Sequence, residues 1–403
     1  MMSSRPNTPL RRAFRTRGFT LTELMVAVVI SLLLLIALGS ILLNVSRANS
    51  EMSKTNSQIE NGRFALQLLQ TDLSHGGFWG GHVPQFDDLA FRGAPLDAPS
   101  AVPDPCRPYE EWDAEHINNL LVIPVQAYEA PPASCGITDQ QPNTDVLVVR
   151  HAETCVPGSP NCDPMAAGRL YFQTSFCAAE LNADPIYHFR LATDDLTLKR
   201  RGCTGTPPAT VGDIAPIRRF ISHIYYVRNH ARAAGDGIPT LVRAEFDMGA
   251  DGTLAHQPAV PLIEGIESMR AELGIDDEVG RCMPATSVSL TDEIALVDPV
   301  TCTAHTNESR NTLPINRGDG IPDRYARCAA AGTCDENALA NVVAVKLFLL
   351  ARAVEPSPGH VDNRTYVLSS DGDLSVTPGG NIKRQVFTST VRLANVSGRR
   401  ETP

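Results

Sequence analysis

The chain has 403 residues, 43% of them apolar, and a formal net charge of −10. That length holds two ordinary domains or one large one with insertions, and the apolar share excludes wholesale disorder. The acidic balance argues against nucleic acid as a main partner.

Residues 1–18 carry Arg5, Arg11, Arg12, Arg15 and Arg17 and no acid, which leaves 30 basic against 45 acidic side chains, a balance of −15, for the remainder. Leu24 to Leu43 follows as an apolar run, polar only at Ser31 and Ser40, and long enough to span a membrane as a helix. A basic flank inside and an acidic body outside is the arrangement the positive-inside rule predicts for a single span with an exported C-terminal part. The run exceeds the roughly 7–15 residues of a signal-peptide core, and the natural break in the sequence lies before it. Ala48-Asn-Ser50 offers a weak small-residue cleavage site, but an amphipathic pattern continues through it. Glu23 sits at the edge of the run, where an unpaired carboxylate is costly and implies a partner. The plainer alternative is a membrane-edge acid on a simple anchor.

Gly18, Phe19, Thr20, Leu21 and Glu23 together resemble the class III leader of type IV pilins and pseudopilins. The resemblance implies that residues 1–18 are removed by a prepilin peptidase, which cuts after Gly18 and methylates the new amino terminus at Phe19. It also implies a register role for Glu23, its carboxylate facing the methylated amine of a neighbouring subunit. In a low-dielectric helical bundle such a pair fixes axial register more surely than it adds stability.

The helix is expected over residues 19–74, transmembrane at 24–43 and amphipathic beyond. Met52, Ile59, Leu66 and Leu73 recur every seven residues with Leu69 beside them, and Lys54, Gln58, Glu60 and Gln67 lie between, which predicts one apolar seam. Gly39 and Gly62 would weaken this helix and allow bends. His75-Gly76-Gly77, with Gly80-Gly81 behind, should end it. The segment Phe64 to Gly80 resembles the helix end of PilW-type minor pilins, with Asp72, Leu73, Gly77, Phe78 and Gly80 in the pattern. The plainer reading is a helix terminus followed by an aromatic plug.

Residues 75–403 read as a β-rich head. An irregular excursion over 84–140 contains one candidate strand, Leu120–Val125. Short β-like runs follow at Val146–Arg150, Leu170–Gln173, Ile186–Leu191, Arg219–Val227, Leu241–Phe246, Val342–Ala351, Thr365–Leu368 and Val386–Leu393. The predicted class is α+β, a long N-terminal helix packed on a mainly antiparallel sheet with long disulfide-stapled insertions. Pro261 to Asp276, Asn341 to Arg352 and Arg384 to Asn395 resemble PilW-family segments, with Leu273 where the family has tyrosine. An extra stretch of about 278–317 interrupts them.

Ten cysteines, all beyond the apolar run, suit a disulfide framework in an oxidising compartment, and no Cys-x-x-Cys pair favours zinc. Connectivity is not readable; Cys328 with Cys334 and Cys155 with Cys162 are the shortest closures. Asp319 and Asp323 resemble the second half of a calcium loop, to which Asp277 could contribute, but Ile315 and Arg317 stand where its first acids belong. An acidic turn is the plainer reading, and no other cofactor is implied. Asp247 to Gly252 and Asp371 to Asp373 read as hairpin turns. The histidines form no recognisable catalytic pattern, His75 and His82 flanking the glycines included, so no enzyme is indicated.

The resemblance implies a minor pilin of the PilW type, held in the inner membrane as a single-pass protein with a periplasmic head and then carried to the pilus on the cell surface. Its partners would be the peptidase, other minor and major pilins and a tip adhesin, in a complex that primes assembly and caps the tip. A head of about 330 residues is roughly 50 Å across, whereas packed helices lie about 8–10 Å apart, so an end position suits it better than a repeating one. The alternatives are a J-type pseudopilin of a type II secretion system and a periplasmic enzyme or sensor on an uncleaved anchor.

Overall fold

A computed structural model describes residues 18–84, 97–180, 186–191, 195–201, 203, 214–277, 320–328 and 334–399. Residues 1–17, Asp319, Cys282, Cys302 and the extra stretch of 278–317 lie outside the described residues. The chain divides into two compact units, Met1–Lys54 and Thr55–Pro403. In the first, helix α1 (Leu21–His75) runs through Leu24–Leu43 with every large apolar side chain exposed, Leu21 and Leu42 at 76% and 69%. It is long and apolar enough to cross a membrane.

The second unit begins with the rest of α1, which is buried along Gln58, Gly62, Ala65, Leu69 and Leu73. This corrects the expected seam: Met52 is 64% exposed, and of the heptad positions Leu73 alone is fully buried. Leu69 and Leu73 of the expected seam are buried, Leu66 packs partly buried beside them, and the small residues Gly62 and Ala65 complete the face. A Cβ on Gly62 would stand 2.3 Å from the Phe387 ring, so this glycine marks a close approach to the sheet rather than a bend. Gln58 is tolerated inside because its Nε2 donates to the Ala351 carbonyl at 2.9 Å.

Among the described residues all strand pairings are antiparallel. The first sheet contains β1 (Val125–Tyr128), β2 (Val146–Ala152), β3 (Tyr171–Thr174), β4 (Tyr187–Arg190), β5 (Ile217–Arg228), β6 (Thr240–Met248), β7 (Leu254–His256) and β8 (Val260–Glu264), with β5 pairing β2, β3 and β6. The second has the order β10 (Arg324–Ala326), β9 (Ile266–Ile275), β11 (Val342–Arg352), β14 (Arg384–Arg392). A ribbon of β12 (Tyr366–Val367) and β13 (Ser375–Val376) lies between the last two in sequence. Gly265 joins β8 to β9 and so carries the chain between sheets; its φ is +80°, and a Cβ there would stand 2.8 Å from the Arg352 carbonyl oxygen.

Ala65, Leu69 and Leu73 meet Val125, Leu147, Val149, Tyr225 and Val227 of the first sheet and Met269, Leu273, Val343, Val345 and Leu347 of the second in one core. The sheets are also tied by charge. Asp145, before β2, accepts from Arg270 at 2.6 Å, Arg327 at 3.1 Å and the Ala271 amide at 2.9 Å. A second core gathers Leu120, Leu121, Phe172, Phe189, Phe220 and Phe246 around Trp79, whose Nε1 donates to the Leu121 carbonyl at 2.9 Å.

The expected strand at Leu120–Val125 is corrected. Ala114–Val122 is helix α2, started by Asp113, whose side chain accepts from the His116 amide. Its buried Leu-Leu-Val end reads as β by composition alone, and the strand begins only after Pro124. Among the described residues four disulfides join Cys106–Cys135, Cys155–Cys162, Cys177–Cys203 and Cys328–Cys334, including both of the short closures expected.

Replacing Gly62 by leucine should push Phe387 off its seat and lower stability by about 1–3 kcal/mol. Urea unfolding followed by the fluorescence of Trp79 and Trp112 measures this; an unchanged midpoint would mean the ring yields freely.

Candidate functional site

The start of α1 is a capping box. Thr20 is the cap: its backbone N–H and its hydroxyl donate to Glu23 Oε2 at 2.9 and 2.8 Å, and the Glu23 amide lies 3.3 Å from Thr20 Oγ1. Glu23 therefore has a local task, closing the first turn of its own helix. Both of these bonds fall on Oε2, and Oε1 takes part in neither. Just ahead, Phe19 is 87% exposed, and no atom lies within 4 Å of where a Gly18 Cβ would be. This junction lies exposed beside a carboxylate held by the first turn of its own helix.

The acidic-loop residues are brought together differently from the calcium expectation. Asp277 receives Arg324 Nη2 at 2.7 Å and Arg324 Nε at 3.2–3.3 Å. The Asp323 amide donates to the Ile275 carbonyl at 2.9 Å, and the Gly320 amide to Asp276 Oδ2 at 2.9 Å. These bonds fasten β10 to β9, and a cation at Asp277 would have to displace a guanidinium. Asp319, the remaining candidate, lies outside the described residues. Asp247 and Asp371 border the β6–β7 and β12–β13 turns, as expected of hairpins.

The sequence pattern missed one cluster. Asp72, in the last turn of α1, meets His151 of β2 and His223 of β5: His151 Nε2 lies 3.0 Å from Oδ1, and His223 Nδ1 lies 2.9 Å from Oδ2. The register of β2 and β5 pairs Val149 with His223 and His151 with Ile221, which sets both histidines on the face that α1 covers. Burial works to raise the Asp72 pKa, but the hydrogen bonds from His151 and His223 and their charge outweigh it and hold the carboxyl well below the usual range. Asp72 stood out in the sequence only as part of a helix-end pattern; partners 79 and 151 positions away leave no local signal.

Residues 224–395 match the family model Type IV Pilus-assembly protein W, and residues 14–39 match the Prokaryotic N-terminal methylation motif. The first match begins within β5, earlier than the resemblance read at Pro261, and ends at Asn395; the helix-end segment Phe64 to Gly80 lies outside both. No curated protein and no solved structure matches the chain.

Three other histidines are held neutral. Burial, with Arg399 nearby, pushes His82 down to about 4. Burial, with Arg150 and Arg107, pushes His116 down to about 4, and burial with Arg150 pushes His256 to about 3. Between their ordinary value of 6.5 and about 4 the unfolded chain binds more protons than the folded one, so stability falls as pH drops through that window. The thermal midpoint should decline steadily from pH 6.5 to 4, and His82→Gln should make the decline shallower. A midpoint that stays level over this range contradicts the assignment.

Proposed function

From the premise that this chain is a PilW-family type IV pilus-assembly protein with a prepilin methylation motif, we propose that it is a minor pilin of a complex that primes the pilus and caps its tip. The observation that carries this reading is the start of α1: an exposed Gly18–Phe19 junction, a carboxylate fixed by a capping box, and a long apolar stretch exposed on every side. Prepilin peptidase removes residues 1–18 and methylates the Phe19 amine. The apolar part of α1 then leaves the inner membrane for a bundle of other pilin helices, where its side chains stay away from water. Glu23 keeps its cap through Oε2 and accepts the methylated amine of a neighbouring subunit on Oε1. A carboxylate and an ammonium buried together in such a bundle tolerate little axial error, because an unpaired charge there is expensive.

The large head supports a place at the end of the filament, where it meets no lateral copies of itself. Other minor pilins, the major pilin and a tip adhesin are the partners this position requires. The match over residues 224–395 favours the pilus over a secretion-system pseudopilin.

Gly18→Ala should leave the leader in place and remove the protein from sheared pili, read by mass spectrometry of the amino terminus. Glu23→Gln separates the two tasks of Glu23, because glutamine serves a capping box but carries no charge. Both Glu23→Gln and Glu23→Ala should be processed normally and be recovered from pili at a small fraction of the wild-type level. Wild-type recovery of Glu23→Gln would mean that Glu23 serves only as a cap, and would sink the register role.

A further inference from the structure

We propose that Asp72, His151 and His223 bind a divalent transition-metal ion, zinc by their ligand chemistry, which clamps the last turn of α1 to the first sheet. The inference does not depend on the pilus reading, whose carrying observation is the start of α1.

The geometry carries it. One oxygen or nitrogen from each side chain lies within 4.8 Å of the other two, and the Asp72 oxygens stand 3.0 and 2.9 Å from the imidazole nitrogens. Ligand atoms held at 2.0–2.1 Å around a tetrahedral ion are about 3.3 Å apart, so only a small separation is needed to admit one. His151 supplies the second line of evidence. Its Nδ1 lies 3.0 Å from the Ala152 carbonyl, so an N–H there aims the lone pair of Nε2 at Asp72. A ligand histidine oriented by a carbonyl on its far nitrogen is the usual arrangement around bound zinc.

Two imidazoles and one carboxylate suit zinc and its neighbours, whereas calcium and magnesium require shells of oxygen. Access is also present: the three side chains are 12%, 9% and 10% exposed. Asp72 borders a cleft of about 310 Å³ shared with Gln67, Thr71, His75, Tyr225 and Arg243, which leaves room for water as a remaining ligand. Arg243, which lines the same cleft, faces Glu245 at 3.5 Å. The described cysteines are all in disulfides and offer no competing thiolates.

The test uses the full chain in detergent with its disulfides intact, stripped with a chelator, dialysed and titrated with zinc chloride. Equilibrium dialysis with elemental analysis should give one zinc per chain, and X-ray absorption should give two imidazole nitrogens and carboxylate or water oxygens at about 2.0–2.1 Å. Asp72→Asn and His223→Gln should each weaken binding about tenfold or more. Uptake well below one zinc per wild-type chain overturns the proposal and leaves a plain Asp–His ion cluster. So does equal uptake by wild type and both variants, which would place the ion elsewhere. If neither variant folds, the wild-type stoichiometry and absorption spectrum decide: a shell without two imidazoles overturns the proposal by itself.

Discussion

The head depends on how closely α1 can approach the two sheets. Gly62 and Ala65 present almost no side chain, so the helix backbone comes down to the Phe387 ring, and Leu69 and Leu73 then reach the core shared by β2, β5, β9 and β11. Close-packed interiors tolerate little change in volume, which makes this seat specific to small residues. With the helix in place, its last turn covers one face of β2 and β5 and sets Asp72 over their histidines. The chain beyond it turns through Gly77, at a φ of +74°, and delivers Trp79 to the second core.

Charge supplies the second constraint. Asp145 stands where the two sheets meet and gathers two guanidiniums and an amide, and Arg384 likewise joins Glu267 and Asp362. Buried ions of this kind add little net stability but penalise misplacement, so the Asp145 cluster selects one docking of sheet on sheet and the Arg384 cluster holds the segment after β11 to the second sheet. The disulfides hold a different part of the head. Cys106–Cys135, Cys155–Cys162 and Cys177–Cys203 staple loops around the first sheet, where the chain has long irregular connections.

The leader junction, the membrane-length run, the helix stop at His75 and most strands could be read directly from the sequence, because each has a local signature. What could not be read fails for identifiable reasons. The seam of α1 is legible at Leu66, Leu69 and Leu73, but a search for large apolar residues passes over Gly62, Ala65 and a hydrogen-bonded Gln58. Strand β9, the centre of the second sheet, is hidden by Arg270 and Glu272, which are 4% exposed but satisfied by Asp145 and by the Ser370 amide. The α2 segment ends in a β-like Leu-Leu-Val, and its helical start lies in a single capping aspartate. Glu23 stands out in the sequence by its setting beside the apolar run, whereas its capping partner Thr20 acquires meaning only from geometry. His151 and His223 become neighbours of Asp72 only through strand register.

The end of α1 is finished by residues far along the chain. Asn395 Nδ2 lies 3.3–3.4 Å from the carbonyls of Ser74, His75 and Gly76, and Arg399 donates to the Gly77 carbonyl at 3.0 Å. A ribosome makes the helix first and Asn395 321 positions after Ser74. Until then these carbonyls lack the Asn395 and Arg399 donors, and of them His75 alone has a neighbour in the adjoining chain, the Phe78 amide at 2.9 Å. The seal on the end of α1 is thereby among the last pieces of the head to be made, and a chain cut short of Asn395 would leave it open.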